Sequence, residues 1–291
     1  MLDIFRNHSS EGQTRKAWLF ALVLISYITL TMYFGNQGDV DEESILQIDP
    51  IVLLAAQGIF STLMFVGVSL LFIKVVLKLP PSAFFPKVTW SMVGITFLVS
   101  ISFMVVNSAV GEWNLNLDFP DSNFEDWAKQ SEEQLKALTE HVINFTSLTH
   151  FIVAFIVVGI IPAIGEELLF RGLIQNFLSR AFSNHHLGIW ISGFAFAAIH
   201  MQFYGLAPRM LLGVVFGYLY HWSGNLTVAM IAHLINNGLA LFLLYMSTLG
   251  AIEVSSEQME SSAPWPIVMV FAVVCLISLR IFHKKYSTTD G

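Results

Sequence analysis

The apolar residues of this chain fall in long runs that short polar segments separate. A transmembrane helix needs about 20 mostly apolar residues to cross the hydrocarbon core of a bilayer. The runs therefore predict an all-α, polytopic transmembrane helix bundle with about eight spans. These lie near 17–34, 51–76, 88–110, 148–170, 187–203, 206–220, 226–246 and 266–282, and Pro208 places a break near the start of the sixth.

The segment 121–142, between the third and fourth spans, is polar but has its own periodicity. Trp127, Leu135, Leu138 and Val142 recur near helical spacing among charged residues. This pattern predicts an amphipathic helix on the membrane surface or over the bundle. We expect one transmembrane domain over 1–291, with a core near 148–246.

Lysine and arginine residues concentrate in the segments on one side of the predicted bundle. Because these residues are enriched in cytosolic loops, the distribution predicts that both termini are cytosolic. The opposite side contains only Lys129, Lys136 and Arg209.

Composition agrees with an integral membrane protein and narrows its partners. The chain is 55% hydrophobic and 12% charged, and its net charge of -7 does not indicate nucleic-acid binding. One cysteine, Cys275, excludes an intrachain disulfide, and no cysteine cluster suggests a thiolate metal site.

A few polar residues interrupt the apolar spans, and they are the candidates for chemistry. An ionisable group inside a span costs roughly 2.5–3.5 kcal/mol on insertion scales, so such residues need a reason to be there. They lie on the fourth, fifth and seventh spans: Glu166, Glu167, Arg171, His200, His233 and Asn237.

Helical spacing indicates how these residues are arranged. Glu167 and Arg171 are four apart and share a face, so they can form an ion pair, whereas Glu166 points about 100° away. His233 and Asn237 also share a face. Taken singly, each residue has a structural interpretation, such as a hydrogen-bonded core histidine or a salt bridge at a helix end.

The combination favours hydrolysis of an amide bond. A carboxylate beside an imidazole can deprotonate water, and imidazole and carboxamide N–H groups can stabilise an oxyanion. No serine or cysteine nucleophile motif is evident. Glutamate and histidine are also zinc ligands, so a metal site is the competing interpretation. Six other histidines lie at span ends or in loops: His141, His150, His185, His186, His221 and His283.

These polar residues form three short motifs whose order along the chain resembles that of a known protein family. Glu166-Glu-x-x-x-Arg171, Phe196-x-x-x-His200 and His233-x-x-x-Asn237 on three successive spans resemble the three motifs of the CPBP family of intramembrane proteases. That family includes the CAAX prenyl endopeptidases and bacterial proteins of the abortive-infection type. The amino-acid sequence of the first motif resembles that of the bacterial members. The resemblance therefore suggests a prokaryotic cytoplasmic membrane.

The resemblance implies a glutamic endopeptidase without a cofactor. Glu166 would be the general base, His200 would assist it, His233 and Asn237 would form the oxyanion hole, and Glu167 with Arg171 would orient the site. The substrate would be a protein or peptide in or at the membrane. The mechanistic alternative is a zinc protease that uses Glu166, His200 and His233 as ligands.

Two other classes of protein would also place polar residues inside spans. One is a membrane protein without catalytic activity, such as an immunity factor or a scaffold that binds a partner in the bilayer. The other is a transporter, because buried glutamate and histidine also serve proton relays. No inverted repeat or broken span clearly favours transport.

Overall fold

The computed structural model describes residues 45–117, 123–252 and 261–287, and the regular elements in these ranges are helices. Short 3₁₀ turns at Pro81–Phe84 and Phe203–Gly205 lie in two of the connections. The long helices, numbered in chain order, are α1 (Pro50–Val76), α2 (Trp90–Leu115), α3 (Asn123–Ile143), α4 (Leu148–Ala181), α5 (His185–Ala198), α6 (Leu206–Ser223), α7 (Leu226–Thr248) and α8 (Trp265–Tyr286).

In the described residues, 6 helices are long and apolar enough to cross a membrane. They are α1, α2, α4, α6, α7 and α8, so the chain is a polytopic α-helical membrane protein. The predicted span 17–34 lies outside the described residues. The predicted span 187–203 corresponds to α5, whose 14 residues extend only about 21 Å. Helix α6 includes Pro208 in its first turn, where a missing N–H breaks no helical hydrogen bond.

Polar side chains at the helix starts explain where several helices begin. Asp49 accepts a hydrogen bond from the Ile51 amide at the start of α1, and Ser147 accepts one from the His150 amide at the start of α4. Asn184 and Asn225 cap α5 and α7 in the same way. Such caps satisfy backbone N–H groups that have no partner within the helix.

Helix α4 is the centre of the fold and contacts α1, α5, α6 and α7. Its residues Phe170 and Leu173 are fully buried in a cluster that also contains Phe196 of α5 and Phe216 of α6. Gly165 allows the close approach of α1, because a Cβ atom there would lie 2.6 Å from the Cβ of Phe65. The helix that carries the glutamate pair is therefore enclosed by its neighbours.

Small residues also allow α5 and α6 to pack closely. A Cβ atom on Gly213 would lie 3.0 Å from the Cα of Gly193, and one on Gly217 would lie 2.9 Å from Cγ2 of Ile189. The Gly213-x-x-x-Gly217 spacing permits this close approach of two helices.

Part of α4 is wound as a π-helix. The π-helical stretch Leu168–Gln175 begins directly after Glu167, includes Arg171 and is buried along its whole length. Short π-helical insertions of this kind occur frequently at functional sites.

Helix α3 is the amphipathic helix that the periodicity of 121–142 predicts. Val142 is buried against Leu54 of α1, and Leu138 packs against the same cluster. Near the other end of α3, the rings of Phe124 and Trp127 lie 4.7 and 5.7 Å from the ring of Phe203. Helix α3 therefore lies over the end of the bundle at which α4 and α6 begin, and we call this end the α3 end.

Candidate active site

Glu167 joins two helices through one carboxylate oxygen. Oε1 accepts a hydrogen bond from Nη1 of Arg171 at 2.8 Å, and it lies 2.9 Å from Nδ1 of His233. The Glu167 side chain is completely buried. The ion pair that the spacing of Glu167 and Arg171 predicts is therefore present, and His233 of α7 joins it.

Arg171 is fixed on every side of its guanidinium group. Nη2 donates to the carbonyl oxygen of Gly213 at 2.9 Å, so the side chain connects α4 to α6. The guanidinium carbon lies 4.6 Å from the centre of the Phe196 ring and 5.4 Å from that of Phe216. Arginine suits this position because its planar group donates in two directions while stacking on aromatic faces.

The imidazole of His233 is oriented by its neighbours. It stacks on Phe216 at 5.2 Å and meets the edge of Phe196 at 5.8 Å. Because an ionised carboxylate only accepts hydrogen bonds, the contact with Glu167 assigns a hydrogen to Nδ1. The other ring nitrogen, Nε2, faces Glu166.

Glu166 has different surroundings from Glu167, although the two residues are adjacent. Its Oε2 lies 4.0 Å from Nε2 of His233, which is too long for a hydrogen bond. Glu166 is 8% exposed, and within the described chain no side chain donates a hydrogen bond to it. Glu167 is therefore occupied by structural contacts, while the carboxylate of Glu166 remains available.

His200 lies just beyond the end of α5, not inside a span as the sequence pattern predicts. Its Nδ1 lies 2.8 Å from the carbonyl oxygen of Phe196, and because a carbonyl only accepts, Nδ1 carries a hydrogen. The lone pair of the neutral imidazole is therefore on Nε2. Glu166 and His233 are both close enough to His200 to act on its charge.

The backbone next to His200 adopts an uncommon conformation. Met201 has a φ of 54°, in the left-handed region that residues other than glycine rarely enter. Such conformations cluster at functional sites, where the surrounding structure imposes them. Here this conformation reverses the chain immediately after the histidine.

Asn237 lies one turn after His233 on α7. Its Nδ2 donates to the carbonyl oxygen of Val158 in α4 at 3.1 Å, and its Oδ1 accepts from Asn236 at 3.1 Å. Since a carboxamide nitrogen has two hydrogens, one donor remains after the contact with Val158. The structure thus fixes the orientation of this amide through its neighbours.

A polar network near His200 was not predicted from the sequence. Arg209 donates to Oε1 of Gln202, and Gln202 donates to Oε1 of Glu132 on α3 at 3.0 Å. Arg209 is also close enough to His200 to act on its charge. The one indication of this network in the sequence was Arg209, a single arginine near the start of an apolar span. This network connects the overlying helix α3 to the start of α6 through Gln202.

The described residues do not fit zinc as they stand. A tetrahedral site needs three protein ligands that converge on one point about 2 Å from each donor atom. Within the described ranges, no group of three histidine, cysteine, aspartate or glutamate side chains has such an arrangement.

Comparison with known proteins finds a family match that covers this region. Residues 148–239 match the family model described as Type II CAAX prenyl endopeptidase Rce1-like, and this range contains all six candidate residues. The uncharacterized protein YpbD of Bacillus subtilis (strain 168) is 29% identical over 153 residues, which cover 51% of this chain. The chain spans 65% of the length of that curated relative. No solved structure matches the chain.

Proposed function

We propose that this chain is an intramembrane endopeptidase that hydrolyses a peptide bond with water activated by Glu166, since residues 148–239 match the Rce1-like family model of CAAX prenyl endopeptidases. The observation that carries the proposal is the unequal use of the two glutamates. Glu167 is held by Arg171 and His233, while Glu166 faces Nε2 of His233 at 4.0 Å without a hydrogen bond. One carboxylate orients the site and the other can accept a proton.

The proposed reaction begins with a water molecule at Glu166. The carboxylate takes a proton from the water as the water oxygen adds to the carbonyl carbon of the substrate. His200 assists in this proposal, because its Nε2 carries a lone pair and its charge interacts with that of Glu166. The proton then passes to the amide nitrogen, and the carbon–nitrogen bond breaks to release an amine and a carboxylic acid.

Donors on α7 stabilise the oxyanion that forms in this step. Asn237 donates the second hydrogen of its Nδ2, because the first is bonded to Val158. His233 donates from Nε2 when its ring is protonated, since Nδ1 contacts Glu167. Glu167 supports that protonated ring from the Nδ1 side. Arg171 acts through Glu167 and is a positioning residue.

The first prediction tests the base. Glu166→Gln keeps the size of the side chain but removes the proton acceptor, so cleavage should fall by a factor on the order of 10² to 10⁴ while folding is kept. His200→Ala should lower cleavage by a similar factor. Asn237→Ala should lower cleavage by a factor of about 10² to 10³, the usual loss for an oxyanion donor. The measurement is cleavage of a panel of membrane-associated peptides by the purified full chain.

The matched control is Glu140→Gln, which changes an exposed glutamate of α3 and should leave cleavage unchanged. Biological activity that survives in the Glu166→Gln protein would contradict the protease and favour a scaffold. The zinc alternative has its own test, namely metal analysis and cleavage after exhaustive chelation. Stoichiometric zinc with activity that chelation abolishes and zinc restores would overturn the glutamate mechanism.

A further inference from the structure

Four histidines from three helices line one cleft at the end of the bundle opposite α3. His185 and His186 begin α5, His221 is in the last turn of α6, and His283 is in the last turn of α8. Tyr218 and Arg280 also line this cleft, which has a volume of about 340 Å³. We call it the histidine cleft, and it is separate from the glutamate site.

The rings in the histidine cleft are ordered by contacts with each other. His185 stacks on His221 with ring centres 4.3 Å apart and an interplanar angle of 14°. Nδ1 of His186 is 2.7 Å from the hydroxyl of Tyr218, and the ring of His283 meets Trp222 at 4.9 Å. The nitrogen lone pairs of imidazole lie in the ring plane, so two stacked rings direct them along parallel planes and not toward a common point. This arrangement disfavours a metal ion as the occupant.

The charges around the histidine cleft favour an anion. Arg280 is a permanent cation, and the imidazoles of His186 and His283 offer an N–H donor or, when protonated, a positive charge. None of the lining residues, all of which the structure describes, is acidic. The start of α5 adds the partial positive charge of its first backbone N–H groups, next to His185 and His186.

The position of the cleft indicates what kind of anion reaches it. It lies where α6 and α8 end, and Trp222 and Leu279 give it apolar walls. On α8 next to it, Leu276 is 67% exposed and Ile277 is 54% exposed, as expected of a surface that faces acyl chains. Basic pockets between transmembrane helices at a membrane surface bind the head groups of anionic lipids.

We propose that the histidine cleft binds a phosphate group, supplied by the head group of an anionic phospholipid. The cleft is large enough for a phosphate and part of its glycerol, while the acyl chains lie along the exposed face of α8. Arg280 and His283 on α8 and His186 on α5 contact the phosphate oxygens. A lipid bound in this way connects α5 and α8 at the bundle end opposite α3.

The test is lipid binding by the full chain, purified in detergent and titrated with phosphatidylglycerol or with phosphatidylcholine. Native mass spectrometry counts the bound lipids, and thermal melting measures the shift that each lipid causes. The wild type should bind phosphatidylglycerol at least about tenfold more tightly than phosphatidylcholine. The triple variant His186→Ala, Arg280→Ala, His283→Ala should lose this preference, because it removes three exposed donors.

The matched control is Lys284→Ala, which removes an exposed cation of α8 that does not line the cleft, and which should keep the preference. A parallel titration with inorganic phosphate separates the two sources of the group. Saturable phosphate binding that the triple variant loses, without any preference among lipids, would support the phosphate site and assign it to free phosphate. Equal binding by the wild type and the triple variant in both titrations would overturn the proposal. Neither readout depends on cleavage, so failure here leaves the proposed protease function untouched.

Discussion

At the scale of single residues, the site assigns different tasks to two adjacent glutamates. Glu167 gives one oxygen to both Arg171 and His233 and is shielded from solvent. A buried carboxylate is tolerated when it is paired and hydrogen-bonded, and Oε1 of Glu167 has both, while Oε2 is buried without a hydrogen-bond partner among the described residues. Within the described residues, Glu166 has no such partner, and it retains 8% exposure. The local contacts therefore distinguish a paired carboxylate from one that is left available, and we propose the second as the base.

Substitution of Arg171 tests how much the ion pair with Glu167 stabilises the protein. Arg171→Ala would leave Glu167 buried without its cation, so the free energy of unfolding should fall by about 3–5 kcal/mol. Cleavage should fall as well, since His233 loses a fixed partner. Arg171→Lys keeps the charge but cannot reach both Glu167 and Gly213, so it should give an intermediate melting temperature in detergent. An Arg171→Ala protein with the melting temperature and activity of the wild type would show that the ion pair of Glu167 and Arg171 is dispensable.

The residue contacts differ in how far the sequence could predict them. The pair of Glu167 and Arg171 follows from helix geometry, because residues four apart share a face. The contact of Glu167 with His233 joins α4 to α7 and depends on how these helices pack, which spacing along one helix does not determine. The same holds for the link from Arg209 through Gln202 to Glu132.

At the scale of helices, close packing of α5 and α6 determines where Arg171 lies. Gly213 serves two purposes, since its carbonyl accepts from Arg171 and its missing side chain makes room for the guanidinium. A Cβ atom there would lie 3.1 Å from Nη2 of Arg171 and 3.2 Å from Cδ1 of Phe196. The packing of two helices and the orientation of the site therefore depend on one glycine.

A pair of glycine substitutions tests this dependence. Gly213→Ala should destabilise the protein by about 1–3 kcal/mol, the usual cost of overpacking, and should lower cleavage by displacing Arg171. Gly94→Ala is the matched control, because a Cβ atom on this exposed residue of α2 meets nothing within 4 Å. It should leave both properties unchanged or raise stability slightly. Equal melting temperatures and cleavage rates for the two variants would contradict the role of Gly213.

Hydrophobic length predicted the long helices well and the fifth one poorly. The apolar run 187–203 is long enough for a span, but the helix ends at Ala198 and the chain reverses at Met201. Hydropathy records that residues avoid water and does not distinguish burial in lipid from burial in protein. One face of α5 packs against α4 and α6, while Trp190 and Phe194 on another face are 42% and 50% exposed, so its apolar run combines both kinds of surroundings.

At the scale of the whole molecule, the two ends of the bundle differ in charge. The α3 end contains Glu125, Glu132 and Glu133 with Lys129 around a cavity of about 440 Å³. The opposite end contains the histidine cleft and the basic last turn of α8. Since lysine and arginine accumulate on the cytosolic side, we propose that the histidine cleft faces the cytosol and α3 faces the opposite compartment.

Cysteine labelling in intact cells tests this orientation. Cys275 is only 5% exposed and can be replaced by alanine, which gives a background without other thiols. Single cysteines at Gln130 of α3, at Ser82 between α1 and α2, and at Lys284 of α8 all occupy exposed positions. A maleimide that does not cross membranes should label position 130 in intact cells, and positions 82 and 284 only after the membrane is permeabilised. The permeabilised sample is the control for accessibility, because all three positions should react there. Labelling of position 82 or 284 in intact cells, with position 130 protected, would reverse the orientation and place the histidine cleft in the outer leaflet.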